Sequence, residues 1–89
     1  QRVSGFAEKV AGSLRRLMDA AALTDCLNAI NREHAHPIAA VSLVDFASFE
    51  GSPALLVAFT DVMRENWVWV VGPDCGPASA SMRYRAKVG

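Results

Sequence analysis

The fold is organised around the stretch Trp67-Val-Trp-Val-Val-Gly-Pro-Asp-Cys75-Gly76. Its apolar start predicts a buried β-strand over 67–71, and Gly72-Pro73 predicts a tight turn directly after it. Trp67 and Trp69 share one face of this strand, and the valines share the other. We expect the valine face to pack on helices and the tryptophan face to be covered by sheet curvature, a second protomer or a partner protein. Trp67 and Trp69 are therefore the predicted partner surface.

The segment before this strand has the periodicity of two amphipathic helices. Apolar residues at helical spacing predict the first helix from Phe6 to Ala22, with Ser4 as its N-cap. The second is predicted from Asp25 to Glu33, with Thr24-Asp25 as its cap. It ends before Pro37, because the residue that precedes a proline avoids the helical region. A single helix kinked near Thr24 is the alternative.

Three further strands complete the predicted sheet, over 40–49, 54–59 and 82–88. The first of them changes its apolar phase between Leu43 and Val44, which indicates a β-bulge. The residues from Glu50 to Pro53 predict a turn. Strands joined by links as short as these are most simply antiparallel.

In the last strand, apolar and basic residues alternate. This pattern predicts a half-buried edge strand with a charged solvent face, and such charges prevent pairing between the edges of separate sheets. The basic residues are Arg83, Arg85 and Lys87. The predicted fold class is α+β, with two N-terminal helices packed on one face of a four-stranded antiparallel sheet.

The chain has 89 residues, which predicts a single domain. We divide it into a helical connector, residues 1–23, and an α+β core, residues 24–89. An apolar content of 52% and a charged content of 20% are typical of a folded protein. The chain begins at Gln1 rather than Met, which indicates a processed product or a piece of a longer protein.

The charge balance argues against nucleic acid as a partner. Nine basic and nine acidic residues cancel, so no net field recruits nucleic acid or an anionic membrane. The apolar runs are far shorter than the roughly 20 residues that cross a bilayer. No signal-peptide pattern is visible.

Residues with the pattern of a catalytic or cofactor site are not found in the sequence. Its carboxylates do not form an acid and base pair, its serines lack a nucleophile elbow, and it has no phosphate-binding loop. Glu33, His34 and His36 form the only cluster that resembles metal ligands, but a His-x-His pair supplies two ligands at most. We interpret this cluster as a solvated helix-to-strand link and predict neither a metal nor a cofactor.

Cys26 and Cys75 are the only cysteines. Their wide separation fits neither a zinc site nor a CxxC redox pair, so a disulfide between them is the economical interpretation. It would imply an oxidising, extracytoplasmic setting. Two buried free thiols are the alternative.

Four stretches follow one another in an order that is typical of a known protein family. They are Thr24-Asp-Cys26-Leu27, Val44-Asp-Phe46, Glu50-Gly-Ser-Pro-Ala-Leu-Leu-Val-Ala-Phe59 and Trp67-Val-Trp-Val-Val-Gly-Pro-Asp-Cys75. This order resembles the extracytoplasmic C-terminal domain of bacterial anti-sigma factors. Those domains have a helix with Cys-Leu, an acidic strand, a Gly-x-Pro-Ala entry to an apolar strand and a Val-x-Pro-x-Cys ending. The resemblance covers about residues 24 to 88.

Proteins of that family are single-pass membrane proteins that hold an extracytoplasmic-function sigma factor inactive at the cytoplasmic face. The resemblance implies that Cys26 and Cys75 are paired, and that the first helix leads back to a membrane helix. The sigma-binding region would lie outside this chain. The domain would be an extracytoplasmic sensor whose state controls regulated proteolysis of the full-length protein, with a protein partner or a homodimer as further possibilities.

A secreted cystatin-like binding or inhibitor domain is the alternative function, because a helix followed by an antiparallel sheet also describes that class. Such an inhibitor presents a protruding hairpin wedge, and the links near Gly51 and Arg64 are too short to favour one. An enzyme is not predicted.

Overall fold

The computed structural model describes residues 12–88. In chain order its elements are a 3-10 helix, Gly12–Met18, the helix α1, Ala20–Glu33, and the strands β1, Ile38–Phe49, β2, Ser52–Asp61, β3, Asn66–Val71, and β4, Met82–Val88. The strands form one antiparallel sheet in the order β1-β2-β3-β4. The predicted α+β class and the four-stranded antiparallel sheet are therefore confirmed.

The helical part differs from the predicted pair of helices. Residues 4–11, which hold the predicted N-cap and start of the first helix, lie outside the described residues. Of the rest of that predicted helix, Gly12–Met18 is a 3-10 helix, in which Leu14 and Leu17 are both buried, and residues 20–22 belong to α1. Their spacing of three residues matches the 3-10 repeat, so both side chains meet the core from one face. The described residues thus hold one α-helix rather than two.

Helix α1 begins earlier than predicted. The carboxylate of Asp19 accepts hydrogen bonds from the backbone N–H groups of Ala21 and Ala22, at 3.1 and 3.2 Å, and so caps the helix. The helix then continues through Thr24 to Glu33, so the predicted cap at Thr24-Asp25 is wrong, and the two helical segments meet at Asp19 rather than near Thr24. Because α1 crosses the boundary proposed between connector and core, one element joins these two parts.

Turn chemistry sets the register of the first hairpin. Glu50 and Gly51 both have positive φ, at 52° and 83°, and they connect Phe49 directly to its pairing partner Ser52. Positive φ at both central residues is what a tight two-residue hairpin turn requires. The turn is thus shorter than predicted, and Pro53 belongs to β2. The β1 register shifts between Val41 and Leu43, next to the predicted bulge, and again between Ile38 and Ala40.

The core lies between α1, the 3-10 helix and one face of the sheet, which we call the inner face. The register places Phe59 opposite Trp67 and Val57 opposite Trp69, so the tryptophans point to the inner face. Trp69 is 1% exposed and belongs to the core cluster, while Trp67 is half-buried against it. The predicted assignment of the two faces of β3 is therefore wrong: the tryptophans, and not the valines, pack towards the helices.

The faces of β4 are reversed in the same way. Arg85 pairs with Trp69 on the inner face, where its guanidinium lies 5.8 Å from the indole ring. Tyr84 pairs with Val70 on the opposite face and is 49% exposed. The predicted half-buried apolar face of this strand is in fact open to solvent. The reason is that the helices cover the central strands and leave the β4 edge of the inner face to long basic side chains, whose stems pack on apolar surface.

Candidate functional site

The segment between β3 and β4 is tied covalently to α1. Cys26 on α1 and Cys75 form a disulfide with an S–S distance of 2.01 Å, and both residues are fully buried. The guanidinium of Arg16, on the 3-10 helix, donates hydrogen bonds to the carbonyl oxygens of Pro73 and Cys75, at 2.9 and 2.6 Å. Because the guanidinium is charged, its hydrogen bonds to these two carbonyls are strong, and they add to the covalent link at Cys75. We call residues 72–81 the anchored segment.

The far end of the anchored segment is held by the last turn of α1. Arg32 donates a hydrogen bond to the carbonyl oxygen of Pro77, at 2.6 Å. The backbone N–H of Ala80 donates to the carboxylate of Glu33, at 2.9 Å. These contacts supply partners for backbone groups that a segment without regular structure would otherwise leave unpaired. The segment is therefore held on the two helices at Pro73, Cys75, Pro77 and Ala80.

A second feature is a buried polar cluster around Asp61, at the end of β2. The side chain of His34 lies 3.0 Å from one carboxylate oxygen, through Nε2, and the indole N–H of Trp67 donates to the same oxygen at 3.1 Å. The backbone N–H groups of Met63 and Glu65 donate to the other oxygen, at 2.9 and 3.0 Å. With Asp61 only 1% exposed, its charge is compensated by hydrogen bonds rather than by water.

This hydrogen bonding also sets the ionisation of Asp61. Burial by itself raises the pKa of the carboxyl group. The hydrogen bonds from His34, from the backbone N–H groups of Glu65 and Met63, and from Trp67 outweigh burial and hold the pKa of Asp61 below its ordinary value. Asp61 is thus an ionised acceptor that ties the end of α1 to the β2–β3 turn.

The placement of His34 corrects the prediction of a solvated link. Its side chain is buried, with ring centroids 5.1 Å from Phe59 and 4.8 Å from Trp67. His36 is exposed, and Glu33 turns instead to the backbone of the anchored segment. The described residues contain no group of three or more His, Cys, Asp or Glu side chains arranged to hold a metal ion.

The pH dependence of stability provides a test of the Asp61 cluster. Because the folded-state pKa is lowered, the ionised carboxylate stabilises the fold above its unfolded pKa, and this contribution is lost as the pH falls through the folded value. We expect the free energy of unfolding, measured by urea titration, to fall steeply below about pH 4. Asp61→Asn should lower the free energy of unfolding at neutral pH. It should also make the fall below about pH 4, which we call the acid limb, less steep.

The matched control for this measurement is Asp25→Asn, since Asp25 is exposed on α1 and outside the cluster. The control should retain the pH profile of the wild type. An acid limb that stays equally steep in Asp61→Asn would contradict the assigned role of this carboxylate.

The third feature is the sheet surface turned away from α1, which we call the outer face. It is mainly apolar, and its apolar side chains are Leu43, Phe49, Leu56, Ala58, Val68, Val70, Tyr84, Ala86 and Val88. Phe49 and Tyr84 belong to the two edge strands, yet their rings stack with centroids 5.8 Å apart. Two edge strands can approach each other in this way only if the sheet is strongly curved. This curvature makes the outer face concave.

A concavity of about 270 Å³ lies on this side of the sheet, and residues from all four strands line it, Ser42, Ala58, Val68 and Val88 among them. Its lining is mainly apolar, with Ser42 and Asn66 as polar residues and no acidic or basic residue. The candidate functional regions of the described residues are therefore the anchored segment, the buried Asp61 cluster and the outer face. A partner contact at Trp67 stays a prediction, while Trp69 is enclosed in the core.

Sequence reasoning missed the Asp61 cluster, although a signal was present. Leu55, Val57 and Phe59 point inward at every second position of β2, and Asp61 continues that series. A carboxylate in phase with a buried apolar face indicates a buried, hydrogen-bonded group.

Comparison with known proteins identifies the family. The family model described as the C-terminal extracellular domain of anti-sigma factor RsmA matches residues 2–88. The searches of curated proteins and of solved structures gave no match. Among the described residues, no helix has both the length and the apolar character needed to cross a bilayer. The family match confirms the resemblance and the extracellular location, and the chain belongs to the family of C-terminal extracellular domains of anti-sigma factor RsmA.

Proposed function

We propose that this domain is the extracytoplasmic sensor of a membrane-anchored anti-sigma factor, and that its folded state controls an extracytoplasmic-function sigma factor through regulated proteolysis of the full-length protein. The observation that carries the proposal is the family match over residues 2–88. The sigma factor would bind a cytoplasmic region of the full-length protein, outside this chain. The proposed role is regulatory rather than enzymatic.

The construction of the domain supports a role in which folding itself is the signal. The disulfide and the side chains of Arg16 and Arg32 dock the anchored segment on the helices. A segment fixed in this way resists proteases, because cleavage requires several residues to detach and extend. Loss of these contacts would make the segment a substrate for a protease. Cleavage would then depend on whether the domain is folded.

The test uses the full-length anti-sigma factor in its native cell, with a reporter gene that depends on its sigma factor. We expect deletion of residues 24–89 to raise reporter output and to shorten the lifetime of the remaining protein on immunoblots. Cys26→Ala together with Cys75→Ala should shift both readouts in the same direction, by a smaller amount.

The matched control is Ala35→Ser, an exposed position in the link between α1 and β1, which should leave both readouts unchanged. Reporter output and protein lifetime that do not respond to deletion of the domain would refute the proposal.

A further inference from the structure

The turn between β2 and β3 carries exposed apolar side chains at one end of the sheet. Val62 is 53% exposed and Met63 is 58% exposed, the highest value for a large apolar side chain among the described residues. Pro37 is also exposed, and its carbonyl oxygen accepts a hydrogen bond from the backbone N–H of Val62 at 3.0 Å. Three apolar residues therefore adjoin at the surface, and we call them the apolar tip.

The turn that carries the apolar tip is held in place by Asp61. The carboxylate of Asp61 accepts hydrogen bonds from the backbone N–H groups of Met63 and Glu65, and its carbonyl oxygen accepts one from Arg64 at 2.9 Å. The backbone N–H of Asp61 donates in turn to the carbonyl oxygen of Glu65, at 2.9 Å. Because the turn is already ordered, a partner would bind its side chains without the cost of ordering the backbone.

The apolar tip has an unpaired cation beside it. Arg64 is exposed, and the two ion pairs found among residues 12–88 do not include it. The neighbouring charges are already compensated, since Lys87 and Glu65 pair with each other at 3.3 Å and Asp61 is buried among hydrogen-bond donors. The exposed charge next to the apolar tip is therefore positive.

Aliphatic side chains beside a cation fit a lipid surface better than a protein surface. At a lipid surface the aliphatic groups enter the boundary between headgroups and acyl chains, and the cation stays at the phosphates. The side chains that dominate protein interfaces are enriched in tryptophan and tyrosine, and the apolar tip contains neither.

We propose that the apolar tip inserts into the headgroup region of an anionic phospholipid membrane, with Arg64 on the lipid phosphates. The inference rests on the proposed membrane anchoring of the full-length protein, which would keep this extracellular domain next to a bilayer. The whole chain has no net charge, so the attraction is local. Only charges within a Debye length of about 8 Å contribute to it.

This contact would be weak in free solution but effective on an anchored protein. Two half-exposed aliphatic side chains and one cation give a dissociation constant on the order of millimolar. An anchor in the same membrane supplies an effective concentration that is also on the order of millimolar. The anchored segment follows the other end of β3, about 20 Å from the turn, so docking of the tip would hold that segment away from the bilayer.

Two-dimensional NMR spectra of the isotope-labelled 89-residue chain test the proposal, because they detect weak contacts residue by residue. Vesicles of phosphatidylglycerol should reduce the amide signal intensities most strongly at residues 62–64. Vesicles of phosphatidylcholine, at equal lipid concentration, should have a smaller effect. The proposal is overturned by unchanged intensities at residues 62–64, by equal effects of the two lipids, or by larger losses elsewhere on the surface.

Substitutions in the turn test the roles of the side chains. Met63→Ser removes apolar surface and should weaken the affinity for phosphatidylglycerol vesicles about fivefold. Arg64→Asn removes the charge and should weaken it by a similar factor of about five. Arg64 has a φ of 65°, a conformation that asparagine tolerates well. Arg64→Lys should retain most of the affinity.

The matched control is Met82→Ser. Met82 is 43% exposed and pairs with Val71, at the opposite end of the sheet from the turn. Its replacement should leave vesicle binding unchanged, and the melting temperature of each variant shows whether it is folded. Equal effects of Met63→Ser and Met82→Ser would contradict the proposal. These measurements involve no sigma factor, so their failure overturns the membrane contact alone, and failure of the reporter experiment leaves the vesicle result standing.

Discussion

Replacement of both Cys26 and Cys75 by alanine is expected to lower the free energy of unfolding by about 4 kcal/mol. The disulfide joins residues separated by 49 positions in the sequence, so it restricts a large part of the unfolded chain. In a domain of this size the change corresponds to a fall in melting temperature on the order of 20 °C. Urea unfolding followed by circular dichroism measures the first quantity, and calorimetry measures the second.

The reducing agent provides the internal control for this prediction. Reduction of the wild type should reproduce most of the loss, and the same reagent should leave the double variant unchanged. Amide hydrogen exchange adds a local readout, because the anchored segment should lose protection before the strands of the sheet do. A loss of stability below about 1 kcal/mol in the double variant would mean that Arg16 and Arg32 hold the segment without the disulfide.

Trp69→Ala is expected to destabilise the domain by about 3–5 kcal/mol. Trp69 is 1% exposed and lies at the centre of the inner face, where it contacts Phe59 with ring centroids 6.4 Å apart. Truncation removes its burial and leaves a cavity that α1, tied down by the disulfide, cannot readily close. Equilibrium urea unfolding followed by circular dichroism measures the loss without relying on tryptophan fluorescence.

Tyr84→Ala is the matched control for this large-to-small change. Tyr84 lies on the neighbouring strand but is 49% exposed on the outer face. We expect its truncation to cost a small fraction of the loss caused by Trp69→Ala, because much of its ring remains in water in the folded state. Equal losses from the two variants would contradict the assignment of the core to the inner face.

Much of the secondary structure could be predicted because it is encoded locally. The ends of the strands were located to within a few residues from the alternation of apolar residues, from Gly51 in the first hairpin turn and from the Gly72-Pro73 turn. The register shift beside Leu43 was visible as a change of apolar phase. The start of α1 was misplaced because Asp19 and Thr24-Asp25 are both good caps, and local sequence does not rank them.

The arrangement of the candidate sites could be predicted only in part. Pairing of Cys26 with Cys75 followed from their being the only cysteines. The buried pair of His34 and Asp61 did not follow, since these residues lie 27 positions apart. The alternation of β2 indicates that Asp61 points inward, but it does not indicate which side chain will contact the carboxylate, and His34 on its own is compatible with exposure to solvent.

The sequence by itself determined which residues form strands, where the chain turns, and that the domain is related to anti-sigma factors. Only the tertiary structure decided which way β3 faces. Trp67 and Trp69 on one side and Val68 and Val70 on the other are all apolar, and alternation reports two faces without saying which one meets the helices. Packing makes that choice: the large ring of Trp69 fills the space beneath α1, and the smaller valines line the concave outer face.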